Sequence, residues 1–130
     1  MELQSTIYHD LLLTRLCYSS TDDYVCDLGV AGADPLSSPS GVNDRKITAE
    51  INTVALGGGE PALVVFSATP DREITVNEFA IRKGDTYIAY CYIKPGIRLL
   101  PGVKQDILVK INPTENMSYL GVSIGDLSDY

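Results

Sequence analysis

Residues 86–93 constrain the fold of this chain more than any other segment. Read as a strand, they place Tyr87, Ala89, Cys91 and Ile93 on one side and Ile88, Tyr90 and Tyr92 on the other, with no charge on either. A strand in an antiparallel sheet that faces water on one side alternates apolar and polar residues. This one does not, so both of its faces are covered, either by the rest of the chain or by another molecule. Its neighbours are also strand-like: Ile74 to Ile81 precede it across Lys83-Gly84-Asp85, and Asp106 to Asn112 follow the Pro- and Gly-containing stretch Lys94 to Gln105. Within Ile74 to Ile81 the apolar phase slips between Val76 and Phe79, which predicts a β-bulge near Asn77-Glu78. Gly84-Asp85 predicts a tight hairpin turn.

The remaining chain gives further strands and one helix. Strands are expected over Tyr24–Val30, Arg45–Leu56, Ala62–Ser67 and Tyr119–Ile124, from alternation or from continuous apolar runs. Ile7, Leu11, Leu12 and Leu16 recur at helical spacing, which predicts a helix over Ser5–Tyr18 capped by Ser5 or Thr6. Residues 1–20 form this helix or an arm, and 31–44 (AGADPLSSPSGVND) form a long loop of the kind that is usually functional or mobile. About seven strands at this spacing, plus one short N-terminal helix, predict a mainly β single domain over residues 1–130. An antiparallel β-sandwich of jelly-roll type is the architecture expected.

Composition narrows the function. The formal charge is −7, and acids outnumber bases by eight to three in residues 1–50 and by nine to seven in 51–130. Phosphate-backbone binding needs concentrated Lys and Arg, so nucleic acid is not expected as a partner. No run is long and apolar enough to span a bilayer by a helix, and the first residues lack the basic start of a secretory leader, so no membrane is expected either. Cys17, Cys26 and Cys91 are an odd number with no metal-ligand spacing, which suits buried free thiols in a reducing compartment. A Cys17–Cys26 pairing stays open.

A search for chemistry returns little. His9 is the single histidine, and Asp10, adjacent to it, points elsewhere on a helix, so no acid–base pair is expected. Gly57-Gly58-Gly59 lacks the Lys-Ser/Thr of a phosphate cradle. Asp22-Asp23 and Asp71 with Glu73 lack the alternating ligands of a calcium loop. No catalytic residue, metal or cofactor is expected, and the chain reads as a protein that assembles and is not an enzyme.

Gly29-Val30-Ala31-Gly32-Ala33-Asp34-Pro35, Val76 with Ala80 and Ile81, Gly84, Tyr87, and Gly102 with Ile107 and Val109 together form a pattern. Over roughly residues 5–112 it resembles small β-rich virion proteins of tailed bacteriophages, of the head-decoration (cement) or tail-accessory type. The tyrosine strand and the cysteines depart from it. The resemblance implies a structural protein of the virion, assembled in the host cytoplasm, that binds the major capsid protein or another virion protein and stabilises the shell. It further implies a homo-oligomer, with a trimer suited to a site of local symmetry. The expected contact residues are Leu3, Ile7, Leu36, Val42, Tyr87, Tyr90 and Tyr92. The competing expectation is a tail-associated carbohydrate- or receptor-binding β-sandwich, with Tyr18, Tyr24 and Tyr119 stacking on sugar rings.

Overall fold

A computed structural model describes residues 2–18, 24–30, 42, 45–57, 60–112 and 116–124. Along the chain lie β1 (Glu2–Ile7), α1 (Asp10–Tyr18), β2 (Tyr24–Gly29), β3 (Arg45–Gly57), β4 (Glu60–Ala68), β5 (Ile74–Lys83), β6 (Thr86–Leu99), β7 (Gln105–Asn112) and β8 (Asn116–Ile124). The hydrogen-bonded ladders join all eight strands into one antiparallel sheet, in the order β1-β6-β5-β2-β3-β4-β7-β8. Its two edges meet, because the Met117 amide of β8 donates to Ser5 Oγ of β1 at 3.2 Å. The sheet is therefore curled nearly into a barrel, an arrangement that leaves few open strand edges. Strand spacing predicts a sandwich, but spacing alone does not tell one curled sheet from two stacked ones.

Alternation sets what the barrel encloses. Cys26 and Leu28 of β2, Phe66 of β4, Phe79 and Ile81 of β5, Cys91 and Ile93 of β6, and Ile107, Val109 and Ile111 of β7 are all buried in one cluster. Helix α1 adds Leu13, Leu16 and Cys17 to it, at the i, i+3, i+4 spacing of a single helix face. Burying Leu13 and Leu16 contributes about 1.5–3 kcal/mol each. Leu11, on the opposite face, is exposed.

The helix is shorter than its sequence periodicity suggests. Ser5, Thr6 and Ile7 are taken into β1, where they lie opposite Cys91, Tyr90 and Ala89. The chain turns at Tyr8 and His9, whose amides both donate to the Ile88 carbonyl at 2.9 and 3.2 Å. The first helical bond then runs from the Leu13 amide to the His9 carbonyl, which makes His9 the N-cap and not Ser5 or Thr6. Long-range pairing with β6 thus overrides a local helical preference.

The β5–β6 hairpin turn follows the sequence, but a second register shift between Ile81 and Arg82 reverses the first residues of β6: Ile88 joins Ala89, Cys91 and Ile93 in the core, and Tyr87 packs with Tyr90 and Tyr92. Gly84 has φ +58° at the first central position of the two-residue loop, where the right-handed strand twist favours a glycine. The bulge is present too. Glu78 pairs with Tyr92 and Val76 with Ile97, so Asn77 alone faces the stretch Ile93–Gly96. Beyond it β6 continues to Leu99, through residues that read as a connection, because Ile97 and Leu99 return to the buried face. Gly96 sits so tightly there that a Cβ on it would lie 2.9 Å from the Val76 carbonyl oxygen.

Candidate groove at the fork of strands β3 and β4

Strands β3 and β4 part before either ends. Their ladder stops at Glu50 and Ser67, yet β3 runs back to Arg45 along β2 and β4 runs on to Ala68 along β7. The fork between them is an open groove of about 510 Å³, lined by Ile47, Thr48, Glu50, Ser67, Ala68, Thr69 and Lys104. That volume falls in the range of small-ligand and peptide sites.

Both walls are held from behind by buried carboxylates. On the β3 side, Thr48 Oγ1 donates to Asp27 Oδ1 at 2.8 Å. Asp27 Oδ2 accepts from Arg82 Nε at 2.9 Å and from the Tyr87 hydroxyl at 3.0 Å, and Arg45 Nη1 lies 3.9 Å from Oδ1. Asp27 has no exposed surface. Burial pushes its pKa up, but the hydrogen bonds from Arg82, Thr48 and Tyr87 and the Arg82 charge outweigh burial and hold it below its ordinary value. The same bond raises Arg82, while burial and the bond to Asp27 raise Tyr87. On the β4 side, Ser67 Oγ donates to the buried Asp106 Oδ1 at 2.6 Å.

These bonds fix the chemistry that the β3 wall offers. Thr48 spends its only hydroxyl proton on Asp27, so toward the groove its oxygen can only accept. Glu50, at the apex of the fork, is exposed and has no ion-pair partner among the described residues. Lys104 also lines the groove. The groove therefore favours a ligand that brings N–H donors, and a positive charge near Glu50.

The tyrosine strand lies further round the same outward face. The Tyr90 hydroxyl donates to Glu78 Oε2 at 2.5 Å. Tyr90 and Tyr92 cluster with Ala80, and Tyr8, Val42 and Tyr87 pack against them. At 3% and 8% exposure, Tyr90 and Tyr92 are covered within the chain itself. Ile7 packs against the barrel core. Leu3 lies opposite Ile93 in the ladder, and its side chain falls outside the described residues, as do Leu36 and the Asp22-Asp23 pair. Of the expected contact residues, Val42, Tyr87, Tyr90 and Tyr92 thus come together in one cluster, while Ile7 packs against the core.

Of the tyrosines considered for sugar stacking, Tyr24 is buried with its hydroxyl directed to the Leu12 carbonyl at 3.4 Å. Tyr119 is partly buried against the core, and the Tyr18 side chain lies outside the described residues. The three cysteines are buried free thiols. Among the described residues no three His, Cys, Asp or Glu side chains gather at metal-binding distance, and no helix is long and apolar enough to cross a membrane.

Asp27, Thr48, Glu50, Ser67 and Asp106 are not legible as a group from the sequence. The one available signal is a carboxylate inside an apolar strand, as in Val25-Cys26-Asp27-Leu28, since a charge is seldom buried without a partner. Comparison with protein-family models, curated proteins and solved structures finds no match for this chain.

Proposed function

We propose that this protein is a binding protein of a viral assembly, most specifically a decoration protein that attaches to the major capsid protein of a tailed-phage shell. Two separate supports carry the reading. The fork groove supports binding: it is a concave, polar surface on a nearly closed barrel, with Thr48 and Ser67 of its lining held by hydrogen bonds to buried carboxylates, as a preformed recognition site requires. The resemblance of residues 5–112 to phage virion proteins supports the viral context. The jelly-roll type of fold and the trimeric state belong to this same reading.

The test is the native mass by light scattering, for the protein alone and mixed with empty phage shells. Saturable uptake onto shells is the expected result. A protein with no affinity for shells, but with glycan binding lost on Tyr119→Ala, would replace this reading with the tail-associated one.

A further inference from the structure

The fork has a property that a general binding groove lacks: among the described residues, each of its walls is a strand stretch laddered on one side only. Over Ile47, Thr48 and Ala49, β3 is laddered to β2 through Leu28, Asp27 and Cys26, with no rung toward β4. Ala68 of β4 is laddered to Gln105 of β7, with no rung toward β3. Backbone amides and carbonyls call for partners, and strand sides left open in this way are templates for another strand. The group that matches such a wall rung for rung is an extended polypeptide backbone.

We propose that the groove takes an extended segment of a partner protein by strand addition, with a Lys or Arg side chain of that segment meeting Glu50. This rests on the binding-protein reading above and names the form of its partner. Arg45 to Ala49 span about 13 Å at roughly 3.3 Å per residue, so about four residues of the partner would be held. Thr48 reinforces the choice of donor, because its hydroxyl proton is committed to Asp27 and its oxygen accepts from an incoming N–H. Glu50 supplies the charge preference, having no ion-pair partner of its own among the described residues.

Two synthetic peptides test this on the full ¹⁵N-labelled chain by NMR titration to millimolar concentration. One alternates lysine with threonine and valine; the other carries glutamate in place of each lysine. The lysine peptide should shift and protect from exchange the amides of Ile47–Ala49 and Ala68–Thr69, at least tenfold more tightly than the glutamate peptide. Glu50→Lys, a change on an exposed side chain, should leave the spectrum of the barrel intact and reverse that preference. Failure of both peptides to bind a folded chain overturns the proposal, as does binding that maps elsewhere. A preference untouched by Glu50→Lys removes the assignment of Glu50. Peptide binding without shell binding would keep strand addition and discard the viral context; saturable shell binding with no shift in the fork would do the reverse.

Discussion

Asp27→Asn probes the polar lock behind the β3 wall with almost no change of shape. In the native protein Oδ2 accepts two bonds and Oδ1 a third, from Arg82, Tyr87 and Thr48. An asparagine can present its oxygen to only one side. Placed toward Arg82 and Tyr87, it replaces the Arg82 ion pair by a bond from a cation to a neutral oxygen, makes the Tyr87 bond neutral, and sets an NH₂ group against Thr48. Bonds to a charged group are worth about 1.5–3 kcal/mol net, against about 1 kcal/mol for a neutral one. The Arg82 side chain retains 21% of its exposure, so water makes good part of its loss. A destabilisation of about 2–3 kcal/mol at pH 7 follows, equivalent to a fall in Tm of roughly 6–15 °C for a chain of this size.

The pH dependence separates this cause from a packing defect. Asp27 is held below its ordinary 3.8 in the folded protein, so its contribution is complete well above that value. It disappears as pH falls through the folded-state value, because the folded protein then takes up the proton it had resisted. Urea titrations of wild type and Asp27→Asn should therefore differ fully at pH 7 and converge toward pH 3. Taking the difference cancels every other carboxylate common to both proteins. A difference under about 0.5 kcal/mol at pH 7, or one unchanged at pH 3, would refute an electrostatic origin for the stabilisation.

Three further outcomes are expected. Gly96→Ala should cost about 1–3 kcal/mol, because the new methyl group would meet the Val76 carbonyl at 2.9 Å and backbone cannot move aside cheaply; differential scanning calorimetry reads it. Tyr90→Asp should unfold the barrel and erase its near-UV CD, since it would bury a second carboxylate against Glu78, whereas Tyr90→Phe should stay folded with a lower urea midpoint. A thiol reagent at pH 8 should find no fast-reacting cysteine in the native protein and three after denaturation, because burial pushes Cys17 up to about 11 and Cys91 to about 12 and Cys26 well above its usual value; one fast thiol without denaturant would contradict the packing of the barrel core.

Local signals carry much of the fold. Apolar alternation or continuous apolar runs place seven of the strands, Gly84-Asp85 the hairpin, and the phase slip at Asn77 the bulge, because each depends on residues close in sequence. β1 is hidden, since Ser5 to Ile7 satisfy helical spacing as well as strand pairing, and only the distant partners Tyr90 and Cys91 decide between them. The closure of the sheet is hidden for the same reason: it rests on a contact between Ser5 and Met117, at opposite ends of the chain. Tyr90 and Tyr92 read correctly as apolar on a doubly covered strand, but their sequence does not say that the cover comes from their own chain. The groove is the least legible feature. It arises where two strands diverge, and divergence leaves no mark in the composition of either one.

Co-sedimentation of the full chain with empty phage shells, compared with its Glu50→Lys variant, tests the claim of partner binding through the β3–β4 fork most directly. Saturable binding by the wild type, weakened at least tenfold by a variant whose CD and Tm are unchanged, is the expected result. Equal binding by both proteins would place the contact elsewhere on the barrel, and no binding by either would contradict the assembly role itself.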